Sequence, residues 1–324
     1  MPKNNSLKPV KLPMVQKFDK PPKTDFRNNL ESIKVTLVSA PTLEHLRQYI
    51  PHYTGATWAE DPHDEVTAEA ADKALKEMFN GFSLPSAKET ISLVFLIEGI
   101  SLQEVTHLIR HRNGSFSADC SGDKWWSDKD GLVPYSIYNS PGFLERYVHL
   151  VEEAKQLYCD MIDSRRISIM DARYILPRCL STFYYVRFNF NDCIAFINQR
   201  KDVQIQPETD NIIAYQMFDC LLQLYGEYIA NCVDFTNPSP FYQKMARTGK
   251  ATNLYVPEPE VDNFEWNEED FIYPCRRKAL NGTNAGCFNK FESLQTVYFS
   301  RFAKYGVKVP FDRIDGYVKP ARDR

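Results

Sequence analysis

The segment 91–112 constrains the fold most, because it contains a strand signal and a helix signal separated by a short turn. Residues 91–97 (ISLVFLI) are apolar and rich in β-branched side chains, a pattern that predicts a buried strand. Ser101 then stands where the N-cap of a helix is expected, ahead of an apolar helical pattern. That helix delivers the triplet Arg-His-Arg at 110–112, which places two permanent cations beside an imidazole that titrates near neutrality.

Segments of both kinds alternate along the rest of the chain. Alternating or densely aromatic patterns predict further strands at 33–39 and 183–190. Helical periodicity and capping residues predict helices after Pro41, at 64–79, after Ser140-Pro141, at 169–176, after Asn191-Asp192 and from Pro207. This alternation of strands and long helices indicates an α+β or α/β core.

Composition divides the chain into three regions. Residues 1–30 are rich in Lys, Pro and Asn, which predicts a flexible N-terminal arm. Residues 31–234 carry the strand and helix patterns and are predicted to form the main domain. Residues 235–324 are aromatic and loop-rich, and we expect a C-terminal extension that packs on the core or at an oligomer interface.

Overall charge and cysteine spacing exclude several classes of protein. The 39 basic and 42 acidic residues give a formal net charge of −3, which argues against a general nucleic-acid or membrane-surface protein. No apolar run reaches membrane-spanning length, and the N-terminus lacks the pattern of a signal peptide. The eight cysteines show no CxxC pair and no metal-finger spacing, which indicates reduced thiols and no metal site. We therefore expect a soluble, cytoplasmic protein without a stable nucleic-acid partner.

The loop after the triplet combines small polar residues with two tryptophans. Residues 115–122 contain three serines and end in Gly122, and such a run can aim hydroxyls and backbone N–H groups at an anion. Trp125 and Trp126 add flat aromatic surfaces. Together with the triplet, this composition suits a ligand that is phosphorylated and heterocyclic. The alternative is a solvated cluster of charges, which is the more common origin of such a triplet.

Four segments in order resemble one family, the flavin-dependent thymidylate synthases. The signature of that family is RHRxxSxNxxSxRY, and residues 110–115 (RHRNGS) fit its first half. Upstream, the segment 89–97 has the spacing of the family, and downstream, residues 172–177 (ARYILP) resemble its AR-x-x-LP segment. Further residues follow at matching intervals: Asn189, Phe196, Arg200, Gln206 and Glu208. The resemblance extends over roughly residues 50–230 and is specific because the segments recur in order.

The resemblance implies a fold, a cofactor and an assembly. The fold would be α+β, with a core of mixed sheet flanked by long helices, and residues 31–234 would be the catalytic domain. The cofactor would be FAD, with methylenetetrahydrofolate and NADPH as co-substrates. The active unit would be a homo-oligomer, a tetramer whose sites are shared between chains. The residues that would bind the cofactor are Arg110, His111, Arg112, Asn189, Glu89, Thr57 and Asn191.

The resemblance also implies a reaction and the residues that support it. The reaction would be the FAD-dependent transfer of a one-carbon unit from methylenetetrahydrofolate to C5 of a deoxypyrimidine monophosphate, with dUMP favoured. Arg200 would polarise the pyrimidine ring, and Arg110 would act in catalysis as well as in cofactor binding. The residues that would bind the substrate are Arg173, Ser121, Gly122, Lys124, His107 and Asp119.

Departures from the family pattern keep other reactions open. The asparagine of the motif is Ser117 here, and its final Arg-Tyr is replaced within residues 123–125 (DKW). A family histidine is Phe82, a cofactor-side arginine is Asn191, and a glutamine near the pyrimidine is His107. Alternative reactions are therefore hydroxymethylation of dUMP, or methylation or hydroxymethylation of dCMP for modified viral DNA. An alternative from another class is a catalytically degenerate scaffold that binds a nucleotide or RNA.

Overall fold

The computed structural model of the chain describes residues 24–61, 63–138, 141–201, 206–236 and 285–310. Within them, helices and strands form an α+β fold, as the resemblance implied. None of the helices in these residues is long and apolar enough to cross a membrane.

The strands of the described residues form two sheets. Their bounds are β1 Phe26–Asn28, β2 Lys34–Ser39, β3 Ser92–Ser101, β4 Ser115–Ala118, β5 Gly131–Val133 and β6 Ser181–Asn189. The main sheet has the order β2-β3-β6-β4, and β3 is buried at alternate positions because one face covers the core. The strands predicted at 33–39, 91–97 and 183–190 are confirmed as β2, β3 and β6, with shifted ends.

Parallel pairing is confined to the smaller sheet, where β1 lies beside β5. Every neighbouring pair in the main sheet is antiparallel. In the described residues, the mixed sheet implied by the resemblance is therefore divided into two, an antiparallel main sheet and a parallel pair of strands. The physical reason is that β5 pairs with β1 and touches the end of β6 only through an isolated bridge between Gly131 and Leu180.

The predicted C-terminal boundary of the flexible arm, residue 30, lies too far along the chain. Residues 1–23 lie outside the described residues, but β1 begins at Phe26 and helix α1 covers Asn29–Ser32. The Asn28 side chain caps α1 by accepting the backbone N–H groups of Leu30 and Glu31. Leu30 is buried in the core, so the ordered domain starts before position 31.

Helices surround the main sheet, and most begin where the sequence predicts them. After α1, their bounds are α2 Leu43–Gly55, α3 Ala68–Phe79, α4 Pro85–Glu89, α5 Leu102–Leu108, α6 Tyr135–Tyr138, α7 Pro141–Asp163, α8 Ile169–Ala172, α9 Phe190–Arg200, α10 Glu208–Tyr225 and α11 Ala285–Ala303. Ser101 caps α5 in a capping box with Glu104, as its position predicted. Three boundaries differ from the predictions. Helix α3 starts after its cap Thr67, and α9 is capped by Asn189 instead of Asn191-Asp192. The helix predicted at 169–176 is α-helical only to Ala172 and continues as a short 3₁₀ turn.

Helix α10 lies at the centre of the main core. It packs against β2, α9 and α11, and it is buried along most of its length. Helix α11 contributes Phe291, Phe299 and Phe302 to the same core, and Val307 and Val309 follow it there. The described part of the region 235–324 therefore packs on the core, and its residues 237–284 and 311–324 lie outside the described residues.

A second, smaller core holds the loop that follows β4. Trp126 is fully buried there beside Tyr158 of α7 and Leu180, and its Nε1 donates to the Cys120 carbonyl at 3.3 Å. Of the two tryptophans expected to offer a flat surface to a ligand, Trp126 is therefore a core residue. Its burial fixes the loop between β4 and β5 against α7.

One glycine determines how β3 turns into α5. Gly99 has a φ of +67°, and it lies at an irregularity in the pairing of β3 with β6. A Cβ atom at this position would lie 1.9 Å from the carbonyl oxygen of Ser32, which is inside contact distance. The Ser32 hydroxyl donates to the Gly99 carbonyl at 2.7 Å, so α1 and β3 touch backbone to backbone.

Candidate active site

A buried arginine connects the end of α9 with the start of α10 and the end of α5. Arg200 Nη1 donates to Asp210 Oδ2 at 2.9 Å and to Gln206 Oε1 at 2.8 Å, and Nε donates to His111 Nε2 at 2.9 Å. The side chains of Arg200 and Asp210 are only 5% and 0% exposed. Each charge is therefore paired where water cannot solvate it. We call these residues, with His107, the Arg200 network.

His107 is the member of the Arg200 network that lies at the protein surface. Its Nδ1 lies 2.9 Å from Asp210 Oδ2, and its side chain is 39% exposed. Its backbone carbonyl accepts from Arg200 Nη2 at 3.4 Å. One buried carboxylate therefore fixes both a guanidinium in the interior and an imidazole that reaches solvent.

His111 is held as a neutral imidazole. Because its Nε2 accepts a hydrogen bond from Arg200, the proton of the neutral ring is on Nδ1. Burial, followed by the positive charge of Arg200, lowers the pKa of His111 to about 4. The ring also packs against Phe196, with 4.6 Å between the ring centroids. The middle residue of the triplet is thus directed inward.

Arg110 and Arg112, the other two residues of the triplet, are exposed. Arg110 Nε donates to the Thr106 carbonyl at 3.3 Å. Within the described ranges, neither guanidinium forms an ion pair with a carboxylate. Two cations that no described acid neutralises are suited to binding phosphate groups.

The structure brings the small-residue loop to Arg173. A Cβ atom on Gly122 would lie 2.8 Å from Arg173 Nη1 and 2.7 Å from Met170 Sδ, so any side chain at this position would displace the ends of these two side chains. Arg173 follows α8 directly, and its Nε donates to the Met170 carbonyl at 3.2 Å. Ser121 is half-buried beside this contact. Three of the residues predicted to bind the substrate therefore form one local group, although their binding role stays a prediction.

Two other residues predicted to bind the substrate bind each other. The Asp119 carboxylate lies 2.7 Å from Lys124 Nζ and 2.8 Å from Lys129 Nζ, and its side chain is 1% exposed. Burial favours its neutral form, but hydrogen bonds from both lysines outweigh burial and hold the pKa of Asp119 below its usual value. This triad stabilises the loop, and contacts of Asp119 or Lys124 with a nucleotide stay predictions.

The predicted cofactor residues outside the triplet lie in different places. Asn189 caps α9: its Oδ1 accepts from the Asp192 backbone at 2.8 Å, and its Nδ2 donates to the Asp192 carboxylate at 2.7 Å. Asn191 is half-buried in the first turn of the same helix. Glu89 is exposed at the end of α4, and Thr57 is exposed in the turn after α2.

An aromatic groove lies beside Thr57. Trp58 and Phe82 are 79% and 84% exposed, and they line a groove of about 570 Å³ formed by α2, α3 and the start of α4. Val66 and Leu84 contribute further apolar surface. Exposed aromatic faces of this kind can stack on a planar ring. Trp58 was not singled out from the sequence, because a lone tryptophan in a turn carries no pattern.

Comparison with known proteins identifies the family. A family model described as Thy1, thymidylate synthase complementing protein, matches residues 44–225. The chain belongs to this family. The resemblance stated from the motifs is thereby confirmed, and the matched range contains the Arg200 network, the triplet and the loop beside Arg173.

Relatives within the Thy1 family are distant. A flavin-dependent thymidylate synthase of Pyrococcus furiosus is 25% identical over 166 residues, which cover 50% of this chain and 67% of that protein. Another from Nitratidesulfovibrio vulgaris is 27% identical over 154 residues, 44% of this chain and 63% of that protein. The match therefore spans about two thirds of the length of these relatives.

A solved structure shares the fold of this Thy1 chain. The crystal structure of the UMP/dUMP methylase PolB from Streptomyces cacaoi, bound with 5-Br dUMP, has a TM-score of 0.52 at 19% identity. The alignment covers 62% of this chain and 93% of that chain. At this identity the likeness concerns the fold.

The residues present fit a flavin nucleotide. FAD combines a planar ring system with a pyrophosphate, and the chain offers exposed aromatic faces at Trp58 and Phe82 and unneutralised guanidiniums at Arg110 and Arg112. Sequence reasoning missed Asp210, the carboxylate that organises the network. The only local signal is an acid in the first turn of α10, a position commonly explained by the helix dipole.

Proposed function

We propose that the protein is a flavin-dependent enzyme that transfers a one-carbon unit from methylenetetrahydrofolate to C5 of a deoxypyrimidine monophosphate, with dUMP as the favoured substrate. The observation that carries the proposal is that the three residues of the Arg-His-Arg triplet lie in different environments. His111 is directed inward and is fixed by Arg200, whereas Arg110 and Arg112 are exposed without a described carboxylate partner. A neutral, oriented imidazole beside available cations suits a site for an anionic cofactor and an anionic substrate.

FAD would be held by the exposed part of the triplet. Arg110 and Arg112 would pair with its phosphates, and the groove at Trp58 would take a planar ring. When bound, FAD supplies the redox chemistry of the transfer, with NADPH as the reductant. Asn189, Asn191, Glu89 and Thr57 stay proposed cofactor contacts on the strength of the resemblance alone.

The nucleotide phosphate would bind at the group formed by Arg173, Ser121 and Gly122. Arg173 is half-buried and forms no ion pair within the described residues, so its charge is available to an anion. The close approach of Gly122 places loop backbone beside that charge. Lys124 and Asp119 would order the loop through their ion pair and thereby position Ser121.

The Arg200 network would stabilise charge that develops on the pyrimidine ring. Arg200 is held by Asp210 and Gln206 before any ligand binds, so its field needs no reorganisation during the reaction. His107 is the member of the network with an exposed ring, and it can present hydrogen-bonding atoms to a ligand. In this arrangement Asp210 positions both side chains.

We also propose that the active unit is a cytoplasmic homo-oligomer, a tetramer with sites shared between chains and without a stable nucleic-acid or membrane partner. Symmetric assembly is the usual state of soluble oligomeric enzymes. Light scattering of the purified protein with bound flavin measures the mass of the active species. A fully active monomer would contradict this part of the proposal.

Product analysis tests the reaction directly. The purified yellow protein is incubated with methylenetetrahydrofolate, NADPH and either dUMP or dCMP, and the nucleotide is then examined by mass spectrometry. We expect dUMP to gain one methyl group. A hydroxymethyl product, or turnover of dCMP alone, would support the alternative reactions that the altered loop at 117–125 leaves open. A colourless protein without turnover would support the scaffold and overturn the enzyme.

A further inference from the structure

Helix α7 exposes an apolar stripe. Phe143, Leu150 and Leu157 are 69%, 60% and 42% exposed, and they follow each other at intervals of seven residues. Residues at this spacing lie on one side of a helix, and the three span about 21 Å along its axis. An adjacent side of α7, roughly a quarter turn around the helix from the stripe, is buried through Val151 and Tyr158. The stripe is therefore not required for the packing of α7 on its own chain.

The stripe is self-complementary about its centre. If two copies of α7 lie antiparallel with a two-fold axis at Leu150, Leu150 meets its own copy, and Phe143 meets Leu157 of the other chain. A two-fold contact uses the same patch on both chains, so such symmetry is the simplest way to bury the stripe. Apolar residues at an interval of seven occupy one of the two positions in each heptad through which paired helices pack.

The charges beside the stripe agree with this register. Arg146 and Glu153 are exposed on the same side of the stripe, and the proposed axis places Arg146 of one chain beside Glu153 of the other, twice. Arg146 forms no ion pair among the residues described, and Glu153 has only a 3.9 Å contact with His149. A parallel pairing would instead place like charges side by side.

We propose that this face of α7 binds α7 of a second copy of the chain, antiparallel, with Leu150 at the two-fold axis and reciprocal Arg146–Glu153 pairs. The inference rests on the structure of α7 and not on the proposed reaction. It has a consequence for the site, because α7 packs against the short helix Arg173–Ile175 that carries the proposed phosphate ligand. The interface and the nucleotide group would then share one support.

Charge reversal tests the register. Arg146→Glu and Glu153→Arg each place like charges across the proposed interface, and we expect each to weaken self-association about tenfold or more. The double variant R146E/E153R restores opposite charges and should restore the wild-type mass by sedimentation. Glu152→Arg is the matched control, because residue 152 carries the same charge change on the other side of the helix; its mass should not change. Failure of the double variant to recover would overturn the register.

Cross-linking tests the axis. In Leu150→Cys, two thiols would meet at the two-fold axis, and mild oxidation should give a covalent dimer on non-reducing gels. Glu152→Cys is the control for the native cysteines and should stay monomeric on the same gel. Leu150→Glu should reduce the mass in solution while circular dichroism stays unchanged, because the residue is exposed. The proposal would be overturned if the wild-type protein is a monomer. It would also be overturned if Leu150→Glu leaves the mass in solution unchanged.

Discussion

Two arginine environments of this protein differ in what satisfies the charge. Arg200 is buried, and its own chain supplies a carboxylate, an amide and an imidazole as partners. Arg110 and Arg112 are exposed, and no described carboxylate pairs with them. A buried charge must be paired when the chain folds, whereas an exposed charge can remain available for a ligand. The protein thus joins a preorganised interior charge to an exposed site that can bind anions.

The first prediction breaks the pairing of the buried arginine. Asp210→Asn leaves Arg200 without a carboxylate, and we expect the free energy of unfolding to fall by about 3 kcal/mol. The matched control is Asp130→Asn, which removes an ion pair with Arg27 at side chains that are 28% and 62% exposed. That control should cost less than about 1 kcal/mol. Urea denaturation of both variants measures the free energies of unfolding. Equal losses in the two variants would mean that Asp210 and Arg200 do not form a strong buried ion pair.

The second prediction separates the two proposed roles by kinetics. Arg200→Lys keeps a positive charge near Asp210, but an ammonium cannot reproduce the planar contacts with His111 and Gln206, so kcat should fall about a hundredfold. Arg173→Ala should raise KM more than it lowers kcat, because its contact with the phosphate exists before the reaction. Steady-state kinetics with the substrate nucleotide checks both. A near-normal kcat in the Arg200 variant would remove Arg200 from the mechanism.

The third prediction concerns the open side of the motif. Arg112→Ala removes an exposed cation, so flavin occupancy should fall about tenfold while the free energy of unfolding of the apoprotein changes by less than about 0.5 kcal/mol. Arg166→Ala, an exposed arginine outside the site, is the control and should stay yellow. Absorbance of the purified proteins gives the occupancy. Full occupancy in Arg112→Ala would place the cofactor elsewhere.

The fourth prediction is a modest pH effect. The pKa of His111 is about 4 in the folded protein, compared with 6.5 for an ordinary histidine. Between these values the unfolded chain binds a proton that the folded chain does not, so stability is full above pH 6.5 and falls as the pH falls toward 4. Substituting His111→Gln should flatten this slope in urea denaturation at pH 7 and pH 5. An NMR titration of His111 near pH 6.5 would contradict the buried, neutral imidazole.

Local features of the fold were predictable from the sequence, and pairings between distant segments were not. Ser101 and Glu104 are three residues apart, so their capping box could be anticipated from one turn of sequence. Asn189 and Asn191 are both good caps, and only the end of β6 decides between them. The smaller sheet was missed because three-residue strands carry too little pattern.

In the candidate site, too, contiguous motifs were predictable and contacts between distant residues were not. The triplet and the ARYILP segment are contiguous motifs, and they pointed to the family that the comparison confirms. Asp210 lies 103 positions after His107 in the chain, and nothing near either residue indicates that the two meet. Likewise, the ion pair that ties Lys124 to Asp119 could not be told from two separate ligand contacts, because both explanations use the same residues.

Gly99 is a position at which the chain can accept no other residue. The backbone of Ser32 fills the space where a side chain would begin, so alanine is already excluded and no compensating change at a flexible neighbour can relieve the clash. Gly142 has open space around the same atom and should accept many replacements. A saturation library selected for function should return glycine alone at 99 and a broad set at 142. The direction of the turn that precedes the triplet is thus fixed by backbone atoms. Side chains around the turn can therefore change in homologues while its direction is kept.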